Sequence, residues 1–163
     1  MTSHATSDWL RAIRAYAAVT LGVNLIWEFA HLPLYTLWTV GSRGEKVFAA
    51  VHCTGGDLLI AIASLLGALV LVGDRDWPSR SFPRVAALTL AVGLAYTAFS
   101  EWLNIVVRGA WAYSDLMPVM RAFSFEFGLS PLLQWVVVPS LALAAARRGG
   151  TRVAAAEGNR SWT

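Results

Sequence analysis

The chain has 163 residues, of which 56% are hydrophobic and only 14% charged, and its mean hydropathy is +0.54. Soluble domains carry about a quarter charged residues, so the composition points to a membrane class. The net charge is +3, but Lys and Arg flank apolar runs and form no dense patch, which argues against nucleic acid as a partner. The single cysteine, Cys53, excludes an intrachain disulfide and a thiolate-cluster metal site.

The opening residues, 1–11, are polar and lack the basic lead-in of a cleaved secretion signal, so the first apolar run reads as a retained helix. Crossing the hydrocarbon core takes about 20 mostly apolar residues. Four stretches qualify, in chain order 15–34, 48–72, 85–107 and 129–146, with Pro139 expected to kink the last. Segment 111–128 is mixed and contains Pro118, and it reads as a loop with at most a short interfacial helix. The predicted fold is therefore all-α: an integral membrane bundle of four transmembrane helices forming one domain over 1–146. A basic, disordered tail follows over 147–163. Its Asn159-Arg160-Ser161 sequon is read as chance, and its Arg147-Arg148 pair suits anionic lipid head groups.

Orientation follows from the Lys and Arg of the connecting segments. Nine (Arg11, Arg14, Arg75, Arg80, Arg84, Arg147, Arg148, Arg152 and Arg160) fall on one side, and four (Arg43, Lys46, Arg108 and Arg121) on the other. That bias predicts cytoplasmic termini and a cytoplasmic 73–84 loop, in a membrane such as the bacterial inner (plasma) membrane. Trp9 and Trp77 are then expected at the inner boundary, and Trp38, Trp111 and Tyr113 at the outer one.

The polar residues inside the spans share one level. Asn24, Glu28 and His31, spaced by four and three, lie on one face of the first span. Cys53, Asp57 and Ser64 share a face of the second, with His52 and Gly55-Gly56 in its outer turns. Thr97, Glu101, Asn104 and Arg108 make a stripe on the third. Glu126, Ser130 and Gln134 are spaced by fours at the start of the fourth. Two spans run up and two run down, yet all these groups fall in the outward half, and the inner halves are mostly Ala, Val, Leu and Gly. A shared pocket opening outward follows. At a rise of ~1.5 Å per residue, Glu28 and Glu101 lie ~20 and ~24 Å from the inner helix ends, and Asp57 ~13 Å from the outer end. An acid near the bilayer centre costs roughly 2.5–3.5 kcal/mol. These acids are therefore expected to be protonated, paired with His31, His52 or Arg108, or bound to a cation.

Several chemistries fit such a pocket. Glu28, Glu101 and Asp57 are the acid/base candidates. His31, His52 and Asp57 make a two-imidazole, one-carboxylate set suited to a divalent metal such as zinc; the single Glu-x-x-His step at Glu28–His31 argues against a di-iron site. Asn24, Asn104, Gln134, Trp27, Trp102 and Arg108 are candidate ligand-binding residues. Each has a structural alternative: interhelical hydrogen bonding for the amides, lipid contact for Trp27, Trp102 and Trp135, and an interfacial ion pair for Arg108 with Glu101. Gly55, Gly56 and Gly67 suit close helix packing, and Ser130 suits a helix N-cap. Ser100, His52 and Asp57 are not read as a nucleophile triad, since nothing marks a nucleophile turn. The chain is short and Trp-rich like the tryptophan-rich sensory proteins but lacks their Pro and Trp pattern.

Three functions follow as expectations. The first is a membrane-embedded, metal-dependent or metal-free enzyme acting on a lipid or isoprenoid-like substrate, a hydrophobic or amphiphilic small molecule. The second is a protein that binds or transports protons, metal or small cations, with homo-oligomerisation as the route to a pore. The third is a structural or assembly subunit of a membrane complex.

Overall fold

The computed structural model describes residues 2–122 and 124–158, and side chains over 9–122 and 124–148. Its long helices are α1 (Thr2–His31), α3 (Arg43–Val72), α4 (Phe82–Trp102) and α5 (Leu129–Gly158); a one-turn α2 (Leu37–Val40) lies between the first two. All four long helices are long and apolar enough to cross a membrane, over Trp9–Leu34, Arg43–Val72, Phe82–Val107 and Leu129–Arg148. The expected 15–34, 48–72, 85–107 and 129–146 fall inside these spans, and the helices run further at most ends. At the start of α3 the reason is local. Ser42 Oγ accepts from Glu45 N–H at 3.3 Å and Ser42 N–H donates to Glu45 Oε2 at 2.8 Å, a capping box that begins the helix before its apolar run. α5 continues through Pro139 to Gly158. Residues 159–163, and with them the sequon, lie outside the described residues, as do the side chains of the tail from 149 onward.

The helices form a ring in which α1 packs on α3 and α5, and α4 on those same two. The lateral exterior is largely apolar, and part of the interior is polar. Ile26, Leu59, Val70 and Leu71 are 72%, 71%, 86% and 74% exposed, while Asn24, Glu28, His31, Glu101 and Gln134 are buried. That distribution suits a lipid surround and would be penalised in water.

At one end of the ring, rich in arginine, Trp77 is buried and meets the ring of Trp9 edge-on at 5.7 Å. Trp9 Nε1–H donates to Arg75 O at 3.1 Å. The Trp77 ring is therefore turned into the bundle. Next comes an apolar layer of Ala12, Tyr16, Ala61, Leu65, Ala68, Val85, Ala142 and Ala146. Gly55, Gly56 and Gly67 have no atoms within 4 Å of where a Cβ would stand, so the expected close packing through them is not found. The glycine that does permit close approach is Gly93 on α4, where a Cβ would lie 2.4 Å from the Trp135 ring of α5. Gly93→Ala is expected to force these helices apart and cost about 1–3 kcal/mol, read as a lowered melting temperature in detergent. An unchanged melt would show that Trp135 has room to turn.

The opposite end is closed by the connecting segments. Segment 111–128 is not the expected loop: it contains an antiparallel hairpin, β1 (Val119–Ala122) with β2 (Phe125–Gly128). Arg121 faces Glu126 across it, Nε to Oε1 at 2.6 Å, and Ser124 takes a left-handed φ of 65° in the turn. The chain is thus mostly helical, with a small two-stranded sheet at one end.

Candidate functional site

The buried polar residues gather at the hairpin end. They come from the last turns of α1, the first half of α3, the end of α4 and the start of α5. Asn24, Glu28, His31, Glu101, Asn104, Ser130 and Gln134 are each no more than 8% exposed; Asp57 is half-buried. Cys53 lies within electrostatic reach of Glu28, Asp57 and Glu101 together, so the three acids share one neighbourhood.

Gln134 is the hub. Its Nε2 is 3.0 Å from Asn24 Oδ1, 2.8 Å from Glu28 Oε1 and 3.0 Å from Asp57 Oδ2. Helices α1 and α3 are thereby both tied to one amide nitrogen of α5. That nitrogen carries two hydrogens, so three acceptors converge on two donors.

A second chain of contacts runs through Glu28. Its Oε2 is 3.0 Å from His31 Nε2, and His31 Nδ1 is 3.1 Å from Ser130 Oγ. Trp27 Nε1–H donates to that same Ser130 oxygen at 3.3 Å. The direction of these two contacts follows the His31 tautomer: with the proton on Nε2, that N–H donates to Glu28 and Nδ1 accepts from the Ser130 hydroxyl, and with the proton on Nδ1 the Ser130 oxygen accepts instead. The line Ser130–His31–Glu28 crosses from α5 to α1. Ser130 is the second residue of α5, and its hydroxyl serves His31 across the interface and not its own helix as an N-cap.

Glu101 has a different partner from the expected one. Arg108 is exposed and donates to Asn104 Oδ1 at 3.3 Å; Glu101 instead accepts from the Tyr113 hydroxyl. The cause is a π-helical turn over Leu103–Val107, whose extra residue rotates Arg108 off the Glu101 face. Asn104 turns its amide back to Ser100 O at 2.9 Å. Gly128 N–H donates to Tyr113 Oη at 2.9 Å, and the absent Gly128 side chain leaves room for that ring. Burial, and then the Glu101 carboxylate, push the Tyr113 phenol well above its ordinary range, so it stands as a hydrogen donor. Tyr35 is raised in the same way, first by burial and then by Glu101. Its ring meets His31 at 5.3 Å and Tyr113 at 5.7 Å. Ser114 N–H to Leu34 O at 2.9 Å and Thr36 N–H to Ala112 O at 3.0 Å fasten the two connectors over the cluster.

Other expected residues stand apart. His52 is exposed and stacks on Phe48 at 5.4 Å, one turn earlier on α3. Asp57 lies five positions further on, about 140° around a helix, so His52 does not join His31. Among the described residues, no group of three or more His, Cys, Asp and Glu is arranged to hold a metal ion. Glu126 belongs to β2 and pairs with Arg121, away from the Ser130 and Gln134 face. Trp102 is 41% exposed and lies beside Phe99, whereas Trp27 and Trp135 turn inward. The half of the bundle beyond the cluster is less uniformly apolar than its Ala, Val and Leu content implies, because the buried hydroxyls of Tyr16, Thr20, Ser64 and Thr89 lie inside it.

Tyr113 and the Ser130–His31 contact are the features that sequence reading missed. Both are contacts between residues far apart in the chain, without a local periodic signal. The chain matches no protein-family model, no curated protein and no solved structure.

Proposed function

We propose that the protein is an integral membrane enzyme that transforms a lipid or isoprenoid-like amphiphile through Ser130, His31 and Glu28, its termini cytoplasmic and its cluster toward the outer leaflet. The observation that carries the reading is the Ser130 Oγ–His31–Glu28 line at 3.1 and 3.0 Å, the connectivity by which a weak hydroxyl becomes a nucleophile. The two imidazole nitrogens serve the opposite partners from those of the familiar serine proteases, but the roles depend on geometry and not on ring position.

In this mechanism Ser130 Oγ attacks the carbonyl carbon or phosphorus of a substrate ester. Its proton passes to His31 Nδ1, and Glu28 stabilises the resulting imidazolium through Nε2–H. The leaving alcohol departs with the proton from His31, and water or a second hydroxyl then releases the group held on Ser130. Placement in the first turn of α5 sets the developing negative charge near the positive end of the helix dipole. The arginine bias of nine against four supports the proposed orientation.

An alkyl fluorophosphonate, which forms a covalent bond with activated serines, tests this directly. Labelling at Ser130 is expected in the membrane-inserted wild type, absent in Ser130→Ala and slowed by about 10³-fold or more in His31→Ala. A folded wild type that leaves the probe untouched would sink the assignment.

One observation favours a second reading. Three acceptors around the Gln134 nitrogen leave the Glu28–Asp57 pair one hydrogen short, a deficit that a bound proton or small cation fills. This reading makes the site a proton- or cation-binding one, and it requires no reactivity at Ser130.

A further inference from the structure

Polar groups continue along the bundle interior beyond the acid cluster. On α1 the positions Asn24, Thr20 and Tyr16, four apart, share one buried face. The Tyr16 hydroxyl lies close to Thr20 and donates only a long bond, 3.4 Å, to Ala61 O, one helical turn past Asp57 on α3. Thr20 Oγ1 is itself buried without a hydrogen-bond partner. α5 runs antiparallel to α1, since His31 meets Ser130 and Asn24 meets Gln134, so Val138 is level with Thr20. At about that depth Pro139 has no N–H to give the Trp135 carbonyl, which loses its helical donor. Thr20 thus stands ~6 Å along the axis from Asn24, at a level where several polar groups are poorly matched. Toward the arginine-rich end, Trp77 Nε1 is likewise buried without a partner. A bare buried hydroxyl or indole N–H is costly, and an internal water with several polar neighbours relieves it.

We propose that water bound at Thr20 links the Glu28–Asp57 pair to the arginine-rich end, and that the bundle thereby carries protons across the membrane along its axis. The inference rests on reading that pair as a proton site and needs no reactivity at Ser130. The pair meets Asn24 and Gln134, and the other titratable groups around it are His31, Cys53 and Glu101. On the hairpin side the half-buried Tyr113 brings its hydroxyl to Glu101, an entry for protons from that face. On the other side a carboxyl of the pair gives its proton to the water. The water passes one of its own protons to the Thr20 or Tyr16 oxygen as that hydroxyl releases its hydrogen onward. Each oxygen ends with the proton count it began with, so no charge is left on a neutral group. Beyond Tyr16 the interior side chains are mostly small, Ala12, Ala68, Ala142 and Ala146, with Leu65 and Val85 bulkier. Such a layer passes protons only while water briefly threads it, which keeps the rate low and rejects hydrated metal cations.

Liposomes containing the full chain and a pH-reporting dye test the route, with a potassium diffusion potential set by valinomycin as the driving force. Wild type is expected to acidify the lumen about tenfold or more faster than protein-free vesicles do, with sodium uptake at the protein-free level. Thr20→Val, which keeps the shape and removes the hydroxyl, should bring the proton rate close to that of empty vesicles, and Thr20→Ser should preserve it. Val85→Thr adds a hydroxyl to the dry layer and should raise the rate several-fold without admitting sodium. Ser140→Ala removes an exposed hydroxyl and should change nothing. A wild-type rate no greater than that of empty vesicles, or one that Thr20→Val leaves intact, would overturn the route. The infrared carbonyl band of a protonated carboxyl, absent from Asp57→Asn, isolates the underlying reading. Such a band without proton flux removes the route alone, whereas its absence from wild type removes the proton site as well.

Discussion

Replacing Gln134 with Leu is expected to lower the melting temperature in detergent by roughly 10 °C or more. The shape of the side chain is nearly kept, so the loss is one of hydrogen bonding. Glu28, Asp57 and Asn24 all direct an oxygen at the Gln134 nitrogen, and the two carboxylates would lose a donor that water reaches poorly. Removing one partner from a buried charged group costs about 3–5 kcal/mol, and each kcal/mol moves the midpoint of a domain this size by about 2–4 °C. Gln134→Glu should be worse, since it adds a third carboxylate where those of Glu28 and Asp57 already meet. Restoration of the midpoint in the Gln134→Leu background by Glu28→Gln together with Asp57→Asn would confirm that stranded carboxylates are the cause. A Gln134→Leu midpoint within about 2 °C of wild type would mean that the acids are satisfied by something other than this amide.

The four helices were legible because their apolar runs reach the length that a bilayer demands. The polar faces were legible because helical spacing of three and four needs no tertiary information: Asn24, Glu28 and His31 do share a buried face, and Gln134 does meet them. What escaped was non-local or too short to have a period. The hairpin over 119–128 has only four residues in each strand, and the i+4 rule carried Glu126 onto a helix that starts at Leu129. The π-helical turn after Trp102 leaves no mark in composition, so Arg108 was paired with Glu101 by a heptad spacing that the backbone does not keep. His52 is a different kind of error, since its angular distance from Asp57 was already computable and argued against a shared ligand set. The Ser130–His31 contact spans 99 positions, and no single-chain periodicity reports such a meeting.

Asp57→Asn is expected to raise stability while impairing whatever the cluster does. Asn retains the shape of Asp, keeps an oxygen for the Gln134 N–H and brings two hydrogens into a group short of one. It also removes an acid from a setting where a charge near the bilayer centre costs roughly 2.5–3.5 kcal/mol. A gain of about 1–3 kcal/mol follows, seen as a rise of about 3–10 °C in the midpoint. A scaffold whose polar groups only lock the bundle has no reason to keep Asp57 in preference to Asn, whereas a site that handles protons or activates a serine gives up stability for reactivity. The same variant therefore separates the readings through two measurements. A higher midpoint with slowed Ser130 labelling fits the enzyme, and a higher midpoint with unaltered labelling but lost proton uptake on acidification fits the ion-binding site. A lower midpoint would assign Asp57 a structural role and show that its charge is compensated in the folded bundle.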